Sequence, residues 1–271
     1  STVSQETGLP NRAAFREKLP DVESPALFLV KIDNIDPLAS FYGEAAATEI
    51  EKHITAFLDQ EQPEEFKENG ELYHLGRGMF GFLVMTKDTQ ITETKARRLA
   101  QDLEEKFSTG NSVAKADHYD LDLTIVISFD KDNLLGKSEV ALEEAVRRKC
   151  SIMMADEVVQ DVYQGIGENI LWLKKVKEAV QNDRLLPFYQ PIYNSNIEAP
   201  DKYEALVRMI DDDGSVVSPW RFLTIAKNSK YYPDITKIMV KKAMEEFIQR
   251  EEGVSVNLSA LDIENQSIRT Y

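Results

Sequence analysis

Cysteine is nearly missing. Cys150 is the single one in 271 residues, which excludes an internal disulfide and fits a reducing compartment. A lone thiol reads as incidental or buried before it reads as a nucleophile. Histidine is also scarce: His53, His74 and His118 stand far apart and show no metal-ligand spacing. No window approaches the ~18 consecutive apolar residues of a membrane helix, and no signal peptide opens the chain. Positive charge is short as well. Lys and Arg total 32 against 47 Asp and Glu, a formal net charge of −15, which argues against binding a nucleic-acid polymer. An anionic small ligand would need its own local cationic group. The chain opens on Ser1 rather than Met, so it reads as an excised or processed piece, with upstream modules left open.

What is present is pattern. "ALFLVKI" (26–32) is an almost unbroken apolar run, the signature of a central strand. Residues 44–58 place Ile50, Ile54, Phe57 and Leu58 on one helical face. "LYHLGRGMFGFLV" (72–84) reads as strand, tight turn, strand. Helix over 92–107, strand over 121–129 and helix over 138–163 complete a first unit of about 160 residues, a sheet covered by helices. A second unit begins near Gly165. It reads as helix (168–182), strand (185–194), strand (202–210), two helices (219–228, 233–249) and a third strand (253–261).

The phrases "TGLPNRAAF", "KIDNID", "FYGEAAATEI" and the hairpin together resemble the GGDEF domain, the diguanylate cyclase fold. That family joins two GTP molecules with metal ions held by carboxylates, and the resemblance implies that this chemistry is lost here. The metal-binding Asp at the end of the first strand is Lys31, with Asp33 retained two residues on. The turn reads Gly76-Arg77-Gly78-Met79-Phe80, so Arg77 stands for a glycine and Gly78 and Met79 stand for the two acids. The guanine-reading Asn-Asp pair is Ala39-Ser40, and a later Asp is Thr48. The product-inhibition motif reads Lys67-Glu68-Asn69-Gly70. The hairpin is therefore expected to be a scaffold remnant, with no cyclase activity and no metal in this domain. Arg77 reads as a solvated turn charge or, alternatively, as a binder of a phosphate or a partner carboxylate. Asp33 and Asp36 have plain readings as strand-end and helix-cap acids.

Four further phrases stand in order: "FYQPIYN", "YEALVRM", "GSVVSPWRFLTIAK" and "VSVNLSAL". Together they resemble the EAL domain, the cyclic di-GMP phosphodiesterase family, a TIM-barrel variant with chemistry at the strand ends. The resemblance implies Glu204 and Asn257 as ligands for Mg²⁺ or Mn²⁺, to which their hard oxygens are suited. It implies Arg208 on phosphate, Gln190 on a guanine edge, and Leu206 and Pro219 in apolar contact with base or ribose. Plainer readings stand beside these. Glu204 can pair with Arg208, Asn257 can make a turn, and Leu206 and Pro219 can be core. Lys227 departs from the acid often found after "F-x-x-I-A".

The expected organisation is α/β. A degenerate GGDEF domain with a central sheet flanked by helices spans 1–160, a connecting helix region 161–182, and a partial EAL domain 183–271. That last part supplies the first three strands of the barrel, and the chain reads as truncated before the remaining catalytic acids and lysine. The expected parent is a cytoplasmic phosphodiesterase whose inactive GGDEF domain is regulatory, with GTP as a candidate regulator, a homodimeric state, and no membrane contact from this segment. The alternative is a non-catalytic cyclic di-GMP receptor that signals to a protein partner.

Overall fold

Strand β1 (Pro25–Ile32) is buried along almost its entire length, with Lys31 alone half-buried. A strand of that kind needs apolar cover on both faces, and it has it. In the computed structural model, residues 2–87, 91–109, 119–193 and 199–271 are described. They divide into two compact units, Ser1–Tyr163 and Gln164–Tyr271. His118 lies outside the described residues. Both units are mixed α/β, as expected.

The first unit runs α1 (Arg12–Lys18), β1, α2 (Ile35–Tyr42), α3 (Glu44–Glu61), α4 (Glu64–Asn69), β2 (Gly70–Gly76), β3 (Met79–Met85), α5 (Glu93–Thr109), β4 (Leu123–Ser128), α6 (Leu134–Arg148) and β5 (Ile152–Met154). The sheet order is β2-β3-β1-β4-β5, antiparallel except for the parallel β4–β5 edge. Phe28, Val30 and Ile32 pack with Ile50, Ile54 and Phe57 of α3 and Leu103 of α5 on one face. Leu27 and Leu29 pack with Phe15 of α1 and Leu142 of α6 on the other.

Two boundaries differ from expectation. The helix read over 138–163 is interrupted: α6 ends at Arg148, Lys149 turns left-handed at φ 57°, and β5 follows. From there α7 (Ala155–Gln181) runs without a break through Gly165 and Gly167, so the helices read as ending at 163 and starting at 168 are one, while the second unit begins at Gln164. Each interior glycine costs about 1 kcal/mol against alanine. A helix of 27 residues absorbs that cost, because propagation is cheap once a helix is nucleated.

The second unit continues with β6 (Leu185–Ile192), β7 (Lys202–Ile210), β8 (Val216–Val217), α8 (Pro219–Lys227), α9 (Tyr232–Phe247), β9 (Gly253–Val256), α10 (Ala260–Glu264) and α11 (Gln266–Arg269). Its sheet has four strands where three were expected, because Val216 and Val217 pair with β7. Central β7 is antiparallel to β6 and parallel to β9. One face carries Leu185, Ala205 and Met209, packed with Phe222 of α8 and Ile235, Met239 and Ala243 of α9. Successive strand residues alternate between faces. Leu186, Phe188, Gln190, Glu204, Leu206, Arg208 and Ser255 therefore share the opposite face, where Leu186, Phe188 and Gln190 are exposed.

Candidate functional site

On that opposite face the register sets Gln190 across from Glu204, and Glu204 across from Ser255. Asn257 lies two residues past Ser255, at the end of β9, and donates Nδ2–H to Glu204 Oε1 at 2.6 Å. A carboxylate and an amide from neighbouring parallel strands thus meet side by side in an exposed position. Arg208 lies four residues beyond Glu204 on the same strand face. It does not pair with Glu204: it donates to the Val207 carbonyl at 2.8 Å and stacks over Phe188, 5.7 Å from the ring centroid. The plain reading of Glu204 as the partner of Arg208 is therefore set aside. Leu206, Pro219 and Asn257 share the lining of one largely apolar cavity with Tyr232, Thr236 and Met239.

Asn257 is tied to the fold by its own loop. Ser259 caps α10, and Asp262, three residues on, completes a capping box. Asp262 is 1% exposed. One of its oxygens accepts from the Ser259 N–H at 2.7 Å, the Ser259 hydroxyl at 2.9 Å and the Tyr232 hydroxyl at 2.9 Å. Its other oxygen accepts from the Thr236 hydroxyl at 2.5 Å. Burial pushes this carboxyl up, but the hydrogen bonds from Thr236, Ser259 and Tyr232 together hold it below the usual aspartate value. Burial also raises the Tyr232 phenol, which keeps it a donor. Asp262 was not singled out from sequence, although "SALD" carries the serine-to-acid spacing of a capping box.

The hairpin region of the first unit is built differently. Lys31 Nζ donates to the Arg77 carbonyl at 2.7 Å, and the Ile32 N–H to the Gly78 carbonyl at 2.8 Å. Gly78 has φ +62°, and a Cβ there would come within 2.8 Å of Ile35 Cγ2. Its N–H donates to Glu51 Oε1 at 2.6 Å. The same oxygen lies 2.9 Å from His74 Nε2, and His74 Nδ1 lies 2.7 Å from the Ser4 hydroxyl. Glu51, His74 and Ser4 are all buried. Glu51 is the residue that sequence reasoning missed. It lies among Ala47, Ile50 and Ile54, and an acid on an apolar helix stripe is the signal that would have found it.

Arg77 is exposed, but it is not simply solvated: it pairs with Glu44 and sits 3.6 Å from Asp36. Both carboxylates belong to the chain itself. Asp33 accepts from the Thr124 hydroxyl at 2.9 Å, and burial raises its carboxyl above the usual value against that bond. Ala39 is buried in the core, and Met79 packs half-buried against the other core. Thr48, Gly76 and Arg77 line one cavity with Glu51 and His74, whereas Lys31 and Asp33 line another with Thr124 and Cys150. The positions expected from sequence to form a degenerate cyclase site are thus not gathered into one cavity. Among the described residues, no three His, Cys, Asp or Glu cluster to hold a metal ion, and no helix is long and apolar enough to cross a membrane.

The family model named EAL domain matches residues 173–270. The matched stretch lies within the second unit. Along nearly the full chain (98%) there is 23% identity to "Cyclic di-GMP phosphodiesterase PdeB" of Shewanella oneidensis, over 32% of that protein. "Oxygen sensor protein DosP" of Escherichia coli is 24% identical over 97% of the chain and 33% of its own length. The chain spans about a third of the length of these curated relatives. Among solved structures, a Vibrio cholerae LapD fragment titled "S helix-GGDEF-EAL (bound to c-di-GMP)" covers 98% of this chain and 64% of its own at 15% identity and TM-score 0.47. The GGDEF domain of Pseudomonas aeruginosa FimX covers 57% of this chain and 99% of its own at 16% identity and TM-score 0.46.

Proposed function

We propose that the chain belongs to a cyclic di-GMP signalling protein in which the EAL unit handles the dinucleotide and the first unit is a regulatory GGDEF domain without cyclase chemistry. The observation that carries this reading is the contact between Glu204 and Asn257 on the sheet face opposite α9, inside the stretch matched by the EAL model. Glu204 and Asn257 would hold a divalent cation of the Mg²⁺ or Mn²⁺ kind, contributing two of its roughly six oxygen ligands. When bound, such a cation lowers the pKa of a coordinated water and screens phosphodiester charge.

The remaining roles belong to side chains. Gln190, across from Glu204, can both donate to and accept from a guanine edge. Arg208 is free of Glu204 and has a planar fork matched to phosphate oxygens. Pro219 borders the cavity beside α9 and is the apolar candidate for base or ribose there, whereas Leu206 offers an apolar surface on the Gln190 and Glu204 side of the sheet. In the longer protein this reading is hydrolysis to the linear dinucleotide. A second reading is binding without turnover, for which the placement of Gln190 and Arg208 suffices.

The test is titration of the longest native protein that carries this chain with cyclic di-GMP and Mn²⁺, followed by separation of products. Hydrolysis that is lost in Glu204→Ala supports the phosphodiesterase. Binding without product supports the receptor, and no binding at all rejects both.

A further inference from the structure

We propose that Asp262 is the positioning residue of this site, setting where Asn257 stands by clamping the strand exit to α9. The inference deepens the reading of Glu204 and Asn257 as a cation pair and rests on it for its functional consequence. Its structural part stands on the contacts alone.

Asn257 has no regular element beyond it until α10, so its backbone is set by β9 on one side and by Ser259 on the other. Ser259 is gripped by the Asp262 carboxylate through both its N–H and its hydroxyl. The same carboxylate reaches α9 through Tyr232 and Thr236. Tyr232 and Thr236 in turn line the cavity that Asn257, Leu206 and Pro219 line. One buried anion therefore ties together the loop that carries the amide ligand and the cavity wall beside it. A capping box alone would be satisfied by Ser259 and its N3 acid at the surface. The extra bonds to two hydroxyls on α9, made at 1% exposure, go beyond what capping a five-residue helix requires. Partners that orient metal ligands from behind typically change metal affinity ten- to a hundredfold when removed.

The experiment compares Asp262→Asn, Ser259→Ala and a control, Phe222→Leu, in the longest native protein that carries this chain. Phe222 is a fully buried core residue of the same unit, so its change lowers stability without touching the clamp. The first readout needs no metal: the side-chain amide resonances of Asn257, identified by their loss in Asn257→Asp. The expected result is a dispersed pair in the parent protein and in Phe222→Leu. In Asp262→Asn and Ser259→Ala the pair broadens or shifts toward the solvent-exposed value.

The second readout is the Mn²⁺ dissociation constant at a temperature where every variant is folded. It is expected to rise about tenfold in Asp262→Asn and less in Ser259→Ala, and to stay within about twofold in Phe222→Leu. Unchanged Asn257 resonances in both clamp variants, or an equal disturbance in Phe222→Leu, would overturn the positioning role. If the parent protein binds no Mn²⁺, the proposed function fails, and the amide resonances still decide the clamp.

Discussion

The hairpin region of the first unit and one sheet face of the second treat their charged residues in opposite ways. Around the hairpin of the first unit each charge is answered internally: Lys31 by a turn carbonyl, Arg77 by Glu44 and Asp36, Glu51 by the Gly78 N–H and His74, and Asp33 by Thr124. On the sheet face of the second unit opposite α9, Glu204 meets a neutral amide, and Arg208, among the described residues, meets a carbonyl and an aromatic ring. The difference separates charge matched by opposite charge or by backbone groups from charge matched by neutral side chains. Oxygen atoms already saturated by protein hydrogens are poorly placed to serve a cation.

That contrast can be broken by substitution, and the largest effect is expected at Glu51. Glu51→Ala leaves His74 and the Gly78 N–H buried without their partner, so it should cost about 3 kcal/mol or more, read as a lower urea midpoint of the first unit. Glu204→Ala, by contrast, should change stability by less than about 0.5 kcal/mol. Next comes Gly78→Ala, which puts a side chain at φ +62° and against Ile35. A loss of about 1–3 kcal/mol is expected in the same unfolding measurement.

A pH series sharpens the contrast within the acids themselves. The Asp262 carboxyl is depressed, so its contribution to the second unit is fully present above the ordinary aspartate value of 3.8 and is lost as pH falls through the lower folded value. Asp33 is raised, so its ionisation opposes folding once pH passes the folded value, and Asp33→Asn should raise the melting temperature of the first unit at neutral pH. Melting curves between pH 2 and 7 check both signs. The smallest effect is expected for Arg77→Ala: its exposed ion pairs should be worth at most about 0.5 kcal/mol, a shift that added salt would reduce.

Much of this was legible in the chain itself. The run Ala26–Val30 announced a strand covered on both faces, and the phrases around Glu204 and Asn257 placed two oxygen donors on neighbouring strands. Strand alternation then fixed the shared face of Gln190, Glu204 and Arg208. Other features were hidden by the rules that usually reveal structure. Gly165 and Gly167 look like breakers, yet α7 passes through them, since length and packing at its ends outweigh two local penalties. Lys149 gives no hint of a left-handed turn, because only glycine and asparagine advertise one. Glu51 was passed over because an acid on a helix is normally assigned to water, and only the sheet behind it supplies His74 and the Gly78 N–H. The bond between Asn257 and Glu204 joins residues 53 positions apart, a separation that local patterning does not reach.

The imidazole of His74 has one more consequence, and it is arithmetical. Ser4 has a single hydroxyl hydrogen, and that hydrogen goes to Glu6 at 2.8 Å, which lowers the Glu6 carboxyl. Toward the ring, Ser4 can then only receive. Glu51, as a carboxylate, can only receive as well. The two ring nitrogens reach in opposite directions, 2.7 Å from the Ser4 hydroxyl and 2.9 Å from Glu51 Oε1, and a side chain with a single polar atom, such as Ser or Thr at position 74, would leave one of the two sides unanswered. A sequence this rich in acids thus keeps, at the centre of its first unit, a place that calls for a side chain with polar atoms on two sides.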